Sequence, residues 1–164
     1  MKKILKIAAI VLIFAFIIAQ FFRPDRNNPA IVEAETLDAS TAVPADVKNI
    51  MQTSCRDCHS NTSVYPWYSN VTPINWLLAN HISDGRKQMN FSVWNTYTPK
   101  RKIKKLEEIC EQLEQKEMPL PSYLWIHRYS ELSESQSKAL CDWATEEKQR
   151  IQESQPPADP AKAN

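Results

Sequence analysis

Glycine is almost missing from this chain: one residue in 164, Gly85. That excludes Gly-rich phosphate-binding loops, Rossmann-type dinucleotide fingerprints and most two-residue hairpin turns, each of which needs glycine at fixed positions. Charge of one sign is also lacking, since the formal net charge is only +1. No basic footprint for nucleic acid is present, and no nucleic-acid partner is expected. Histidine is scarce as well, with three residues, His59, His81 and His127. Any chemistry that needs imidazole must draw on those three.

Proline, by contrast, is plentiful at 11 residues. In a glycine-poor chain this predicts helices that start on proline rather than hairpins. Thr98-Pro99 has that form, an N-cap followed by proline at the first helical position, and Thr72-Pro73 repeats it. Ser133 with Gln136 three later forms a capping box. Four helices are expected. The first covers residues 44–53 with Val47, Ile50 and Met51 on one face. The second starts at Pro73 with Ile74, Leu77, Leu78, His81 and Ile82 at helical spacing, and ends or breaks at Gly85. The third carries Ile103, Leu106, Ile109, Cys110 and Leu113, and the fourth Leu140, Trp143 and Ala144. No segment alternates with period two, so the fold class is all-α.

Residues 1–22 differ from the rest. Lys2, Lys3 and Lys6 precede an unbroken apolar run over residues 7–19, which Phe21 and Phe22 extend. A helix over residues 4–22 would be about 28 Å long, near the ~30 Å hydrocarbon core. The expectation is an uncleaved, single-pass signal anchor in the inner membrane, with the lysines cytoplasmic and the remainder in the periplasm. A cleaved signal peptide is the competing reading. Residues 23–42 read as a tether spanning roughly 25 Å by random-coil scaling, residues 43–151 as the functional domain, and residues 152–164 as a disordered tail.

The strongest motif is Cys55-Arg56-Asp57-Cys58-His59. Cysteines three apart fall on one side of a helical turn, where both sulfurs can reach the vinyl groups of one haem, and the adjacent histidine can ligate its iron. Three readings compete: a Cys-x-x-Cys redox pair, which lacks its usual strand; a structural disulfide; and a zinc site drawing on His81, His127, Cys110 or Cys141. Export would favour covalent haem, whose attachment in cytochromes c takes place outside the cytoplasm.

Met118 is the candidate for the sixth iron position. It lies in Glu117-Met118-Pro119-Leu120-Pro121, where prolines favour an extended loop that can aim a thioether at little entropic cost. A methionine opposite histidine raises the reduction potential and suits electron transfer. His81, His127, Met51 and Met89 are alternatives, and an open sixth site would suit peroxidase-like or gas-binding chemistry. Among the aromatic residues, Trp67 and Tyr123 are the candidate haem contacts. Pro66 or Pro73 is a candidate to supply the carbonyl that orients His59 through its other ring nitrogen. Cys110 and Cys141 can pair in an exported protein or serve as buried thiols. The third helix has Lys100, Arg101, Lys102, Lys104 and Lys105 near its start and Glu107, Glu108, Glu111, Glu114 and Glu117 toward its end, against the helix dipole. The basic end can dock an acidic redox partner, neutralise haem propionates, or simply be solvated.

These residues also carry a resemblance. The stretch Ser54 to Asn61, Tyr65-Pro66-Trp67-Tyr68, Pro73, Trp76, His81, Gly85-Arg86, Asn90-Phe91, Trp94, Met118 to Pro121 and Asp142-Trp143-Ala144 resembles the bacterial haem-binding domain family, small membrane-anchored proteins related to cytochrome c. The resemblance spans residues 43–144. It implies a cytochrome c-like, all-helical domain around one haem c, bonded covalently through Cys55 and Cys58 and ligated by His59, with Met118 as the counterpart of a distal methionine. The expected function is c-type haem binding with single-electron transfer to a redox protein partner, a carrier rather than an enzyme. The alternatives are a peroxidase-like enzyme, a haem-based sensor or an accessory subunit with a displaceable distal ligand.

Overall fold

A computed structural model describes residues 1–155. Eight α-helices occur in this order: α1 (Lys2–Ala19), α2 (Leu37–Ser40), α3 (Ala45–Ser54), α4 (Arg56–His59), α5 (Ile74–Gln88), α6 (Pro99–Glu114), α7 (Pro121–Leu124) and α8 (Glu134–Glu153). Short 3₁₀ turns fill several of the connections. No strand occurs among the described residues, as the absence of period-two patterning predicts. Most of the expected tail, residues 156–164, lies outside the described residues; the part that is described continues α8 to Glu153.

The expected membrane-spanning helix is corrected by the structure. α1 has 18 residues and ends at Ala19, and its first five positions hold Lys2, Lys3 and Lys6. The purely apolar part, 13 residues, is about 20 Å long, well short of a ~30 Å hydrocarbon core. Among the described residues, no helix is long and apolar enough to cross a membrane. The single-pass arrangement, and the inner-membrane location inferred from it, fall together.

The core gathers one face each of α3, α6 and α8. Val47, Ile50 and Met51 of α3, Leu106 of α6, and Leu140, Trp143, Ala144 and Ile151 of α8 pack with Phe91, Trp94 and Tyr97 from the connection between α5 and α6. Among the described residues, the most extensively packed helix pair is α6 with α8. A disulfide, Cys110–Cys141, joins them across 31 residues of sequence with the Cα atoms 5.0 Å apart. Two of the three start signals behave as their chemistry predicts; at Thr72-Pro73 the helix begins one residue later, at Ile74, with Pro73 at the cap and no side-chain hydrogen bond from it. Thr98 Oγ1 accepts from the Arg101 amide at the start of α6, and Ser133 and Gln136 form a reciprocal capping box on α8.

Two regions depart from expectation. Residues 33–42, expected as tether, fold onto the domain: a 3₁₀ turn (Glu33–Glu35) leads into α2, and Leu37 is in the core. Asp38 of α2 pairs with Arg56 at 2.5 Å. The segment before it is strapped down too. Arg26 donates to Ser69 Oγ and Asn70 Oδ1, Asn28 donates to the Ser63 carbonyl, and Trp76 Nε1 donates to the Phe22 carbonyl. The second departure is α5, whose inward side is set by Asn75 and Ile82, while Ile74 and Leu77 are exposed. Asn75 is buried because its side chain donates to Thr72 Oγ1 at 2.9 Å, fixing the start of the helix from within.

Candidate functional site

The Cys-x-x-Cys-His motif sits where two short elements meet. α3 ends at Ser54, Cys55 breaks the helical geometry (φ −125°), and the single turn of α4 carries Arg56 to His59. The turn is closed by the amides of Cys58 and His59, both donating to the Cys55 carbonyl. Both thiols are free. Burial pushes Cys55 up to about 12 and Cys58 up to about 11, the negative charge of Asp57 adding to the effect at Cys58. Such thiols stay protonated near neutral pH, the opposite of the lowered values that mark a thiol–disulfide redox pair.

α4 lies directly on α5, and the chain's single glycine permits it. A Cβ on Gly85 would fall 2.6 Å from the Cys58 carbonyl oxygen and 3.1 Å from Cys58 Cβ. Gly85 therefore does not end α5, as the sequence suggests; it lies inside the helix and makes room for the motif. Arg86, the next residue, donates to the Ser60 carbonyl, Ser63 Oγ, the Asn27 carbonyl and Asn28 Oδ1. One guanidinium thus ties α5, the loop after His59 and the strap before α2 together.

His59 is aimed by the end of α5. Its Nδ1 lies 2.9 Å from the Met89 carbonyl oxygen, so Nδ1 carries the proton and Nε2 keeps its lone pair. Burial pulls the histidine below its ordinary value, and the positive charge of Lys105 acts in the same direction. Hydrogen bonding to the Met89 and Gly85 carbonyls opposes them without reversing the shift. The ring is thus neutral, the form that binds metal. The carbonyl is Met89's, not that of Pro66 or Pro73. A buried amide network holds the two segments in register: Asn90 Nδ2 donates to Asn61 Oδ1, the Ser92 amide to Asn90 Oδ1, the Asn61 amide to Ser92 Oγ, and the Asn90 amide to the Tyr97 hydroxyl.

Beside the motif is a cavity of about 510 Å³, within the usual size range of cofactor sites. Cys55 and His59 line it, as does Met118, brought from 59 residues away in sequence. Its apolar wall includes Met51, Met89, Phe91, Ile109, Leu113 and Leu140. Met118 arrives through the way α6 ends. The Glu117 amide donates to the Gln112 carbonyl and the Lys116 amide to that of Leu113, the paired bonds of a Schellman motif. Lys116 takes the left-handed conformation (φ 55°) that such a motif usually gives to glycine.

The remaining candidates lie elsewhere. Cys58 packs against α5 and is outside the cavity lining, which includes its partner Cys55. Trp67 is 80% exposed. Tyr123 donates to Asp57 Oδ2 at 2.9 Å and stacks on His127 with ring centroids 4.0 Å apart. Neither Trp67 nor Tyr123 lines the cavity. Both nitrogens of His127 are engaged, Nε2 with the Tyr68 hydroxyl at 2.8 Å and Nδ1 near the Tyr123 carbonyl at 3.1 Å. His81 is likewise outside the cavity. Among the described residues, no group of three His, Cys, Asp or Glu side chains converges as a metal cluster.

The donor set therefore fits a haem: an apolar cavity, the Cys55 thiol in its lining with Cys58 three residues further along the turn, a neutral histidine with one free nitrogen, and thioether sulfur within the same walls. Sequence reasoning named Met89 only as an alternative iron ligand and missed its carbonyl as the partner of His59; it also gave no role to Gly85 or the Asn61–Asn90 pair, although the resemblance includes those three residues. Comparison with known proteins agrees with the geometry. No curated protein and no solved structure matches the chain. The family model described as a haem-binding domain matches residues 14–146, which is most of the chain, and the protein belongs to that haem-binding domain family.

Proposed function

We propose that this protein is a c-type haem protein that carries single electrons. Cys55 and Cys58 would hold one haem covalently, and His59 Nε2 and the Met118 sulfur would bind its iron. The observation that carries the reading is the lining of one cavity by Cys55, His59 and Met118. Haem supplies reversible one-electron chemistry when bound, and the chain's own residues do the rest. The Met89 carbonyl fixes the His59 tautomer, the Asn61–Asn90 network fixes the ring's position, and the apolar wall excludes water. Cys58, which packs against α5 outside the cavity lining, is the second thiol of the proposed attachment.

Met118 is preferred over the other two methionines that line the cavity. Met51 is a core residue at 1% exposure, and Met89 follows the end of α5 with its carbonyl committed to His59. Histidine pairing at the iron has little support, because both nitrogens of His127 are engaged and His81 is outside the cavity. The electron is exchanged with a protein partner, and no organic substrate is bound.

The test is absorption spectroscopy of the oxidised and reduced full chain made in a host with haem-attachment machinery. A low-spin spectrum with a methionine-to-iron charge-transfer band that is lost in Met118→Ala supports the carrier. A high-spin spectrum that responds to peroxide or carbon monoxide favours an enzyme or sensor instead.

A further inference from the structure

The cavity has a polar side that the iron ligands do not explain. Gln88, Lys105, Glu108, Glu111 and Gln112 all line it, and Lys105 is the one cation among the lining residues. It is also well buried for a lysine, with 12% of its side chain exposed. Its Nζ lies 2.5 Å from Glu108 Oε2 and 3.5 Å from Gln88 Oε1.

The rest of the basic run on α6 turns elsewhere. Arg101 stacks over the Tyr97 ring at 4.0 Å, Lys102 donates to Asn95 Oδ1, and Lys104 stands in solvent with 72% of its side chain exposed. Lys104 is nevertheless 3.7 Å from Glu108 Oε1. Glu108 thus has a second cation within reach and can give up Lys105 without being left unpaired. A partly buried ammonium with an exchangeable partner, at the polar side of an apolar cavity, is suited to receive a carboxylate from the cavity's occupant.

Resting on the reading of the cavity as a haem site, we propose that Lys105 anchors a propionate carboxylate of the bound tetrapyrrole. Gln88 stands beside it, and Glu108 passes to Lys104 as the carboxylate arrives. Lys105 is a positioning residue: it fixes which edge of the macrocycle faces the polar side and leaves the iron to His59 and Met118.

The full chain, made without attachment machinery so that both thiols are unbonded, is titrated with haemin and with haemin dimethyl ester, whose carboxylates are masked. The readouts are the Soret band and tryptophan quenching. The wild type is expected to bind haemin about tenfold more tightly than the ester, the scale of one charge-assisted contact. Lys105→Met brings the ratio near one by weakening haemin alone, Lys105→Arg keeps it, and Glu108→Gln raises it. Circular dichroism verifies the fold of each variant. Equal binding of the two compounds by the wild type, or an unchanged ratio in Lys105→Met, overturns the anchor while leaving the haem site standing. Failure of the wild type to bind either compound overturns the haem-site reading and the anchor with it.

Discussion

Replacing Gly85 by alanine sets two effects of known sign against each other. In an exposed helix interior, glycine to alanine is favourable by about 1 kcal/mol, because alanine loses less backbone freedom on folding. At residue 85 the new methyl would lie 2.6 Å from the Cys58 carbonyl oxygen, inside the 3.0 Å that real Cβ atoms essentially never breach. The atoms it meets are backbone and Cβ, with no flexible side chain to swing aside, so α4 must move off α5. Overpacking of this kind costs about 1–3 kcal/mol, and the clash is severe enough to place Gly85→Ala near the upper end. The net expectation is a loss of about 1–2 kcal/mol. The displacement also has a direction. It shifts Cys58 and the neighbouring His59 relative to the Met89 carbonyl, so haem incorporation falls as well as stability. Urea unfolding followed by circular dichroism measures the first effect, and haem per polypeptide in purified protein the second. A variant that is more stable than wild type and fully loaded would refute the claim that Gly85 is there to seat the motif.

Three further outcomes follow from the geometry. Breaking the Cys110–Cys141 disulfide, by reductant or by Cys110→Ser with Cys141→Ser, should cost about 3–4 kcal/mol for a loop of this length; identical unfolding curves with and without reductant would show that the pair is not formed. Lys116→Gly should gain about 0.5–1 kcal/mol by relieving the left-handed residue in the α6 cap, whereas Lys116→Val should lose about 1–2 kcal/mol; thermal melts of the two should move in opposite directions. Burial opposes ionisation of Asp38, but its hydrogen bond to and charge attraction for Arg56 prevail and hold the carboxyl below its ordinary value of 3.8. A carboxyl depressed on folding contributes stability above that value and loses it as the pH falls through the depressed one. Wild type should therefore exceed Asp38→Asn in stability at pH 6 and converge on it as the pH falls through the depressed value; a gap that persists in acid would rule out the charged pair as its source.

How far the sequence could be read depended on whether a signal was local. The starts of α6 and α8 are local, since Thr98-Pro99 and the Ser133–Gln136 box satisfy amides within one turn. The Cys-x-x-Cys-His motif is local too, and so is the prolyl segment that carries Met118. The inward face of α5 is not. Its periodicity favours Ile74 and Leu77, but the Asn75–Thr72 hydrogen bond and the contact at Gly85 rotate it the other way. Gly85 read as a helix breaker because propensity registers the missing Cβ and not the backbone of Cys58 that uses the space. The partner of His59 is a main-chain carbonyl 30 residues away, and carbonyls have no sequence signature. The apolar N-terminal run misled for a different reason: the lysines that suggested its orientation are part of the helix and shorten its apolar length. The basic run on α6 was visible, but only the packing shows that Lys105 alone turns into the cavity.

The central claim is that Cys55, Cys58 and His59 hold one haem covalently. Its most direct test is the intact mass of the full chain, denatured in acid and organic solvent after expression with haem-attachment machinery. The account predicts a single species heavier than the polypeptide by one haem, still bearing haem absorbance, with the added mass retained in His59→Ala only at low yield and abolished in the double variant Cys55→Ser with Cys58→Ser. A polypeptide of unmodified mass, with both thiols free to alkylate, would contradict it.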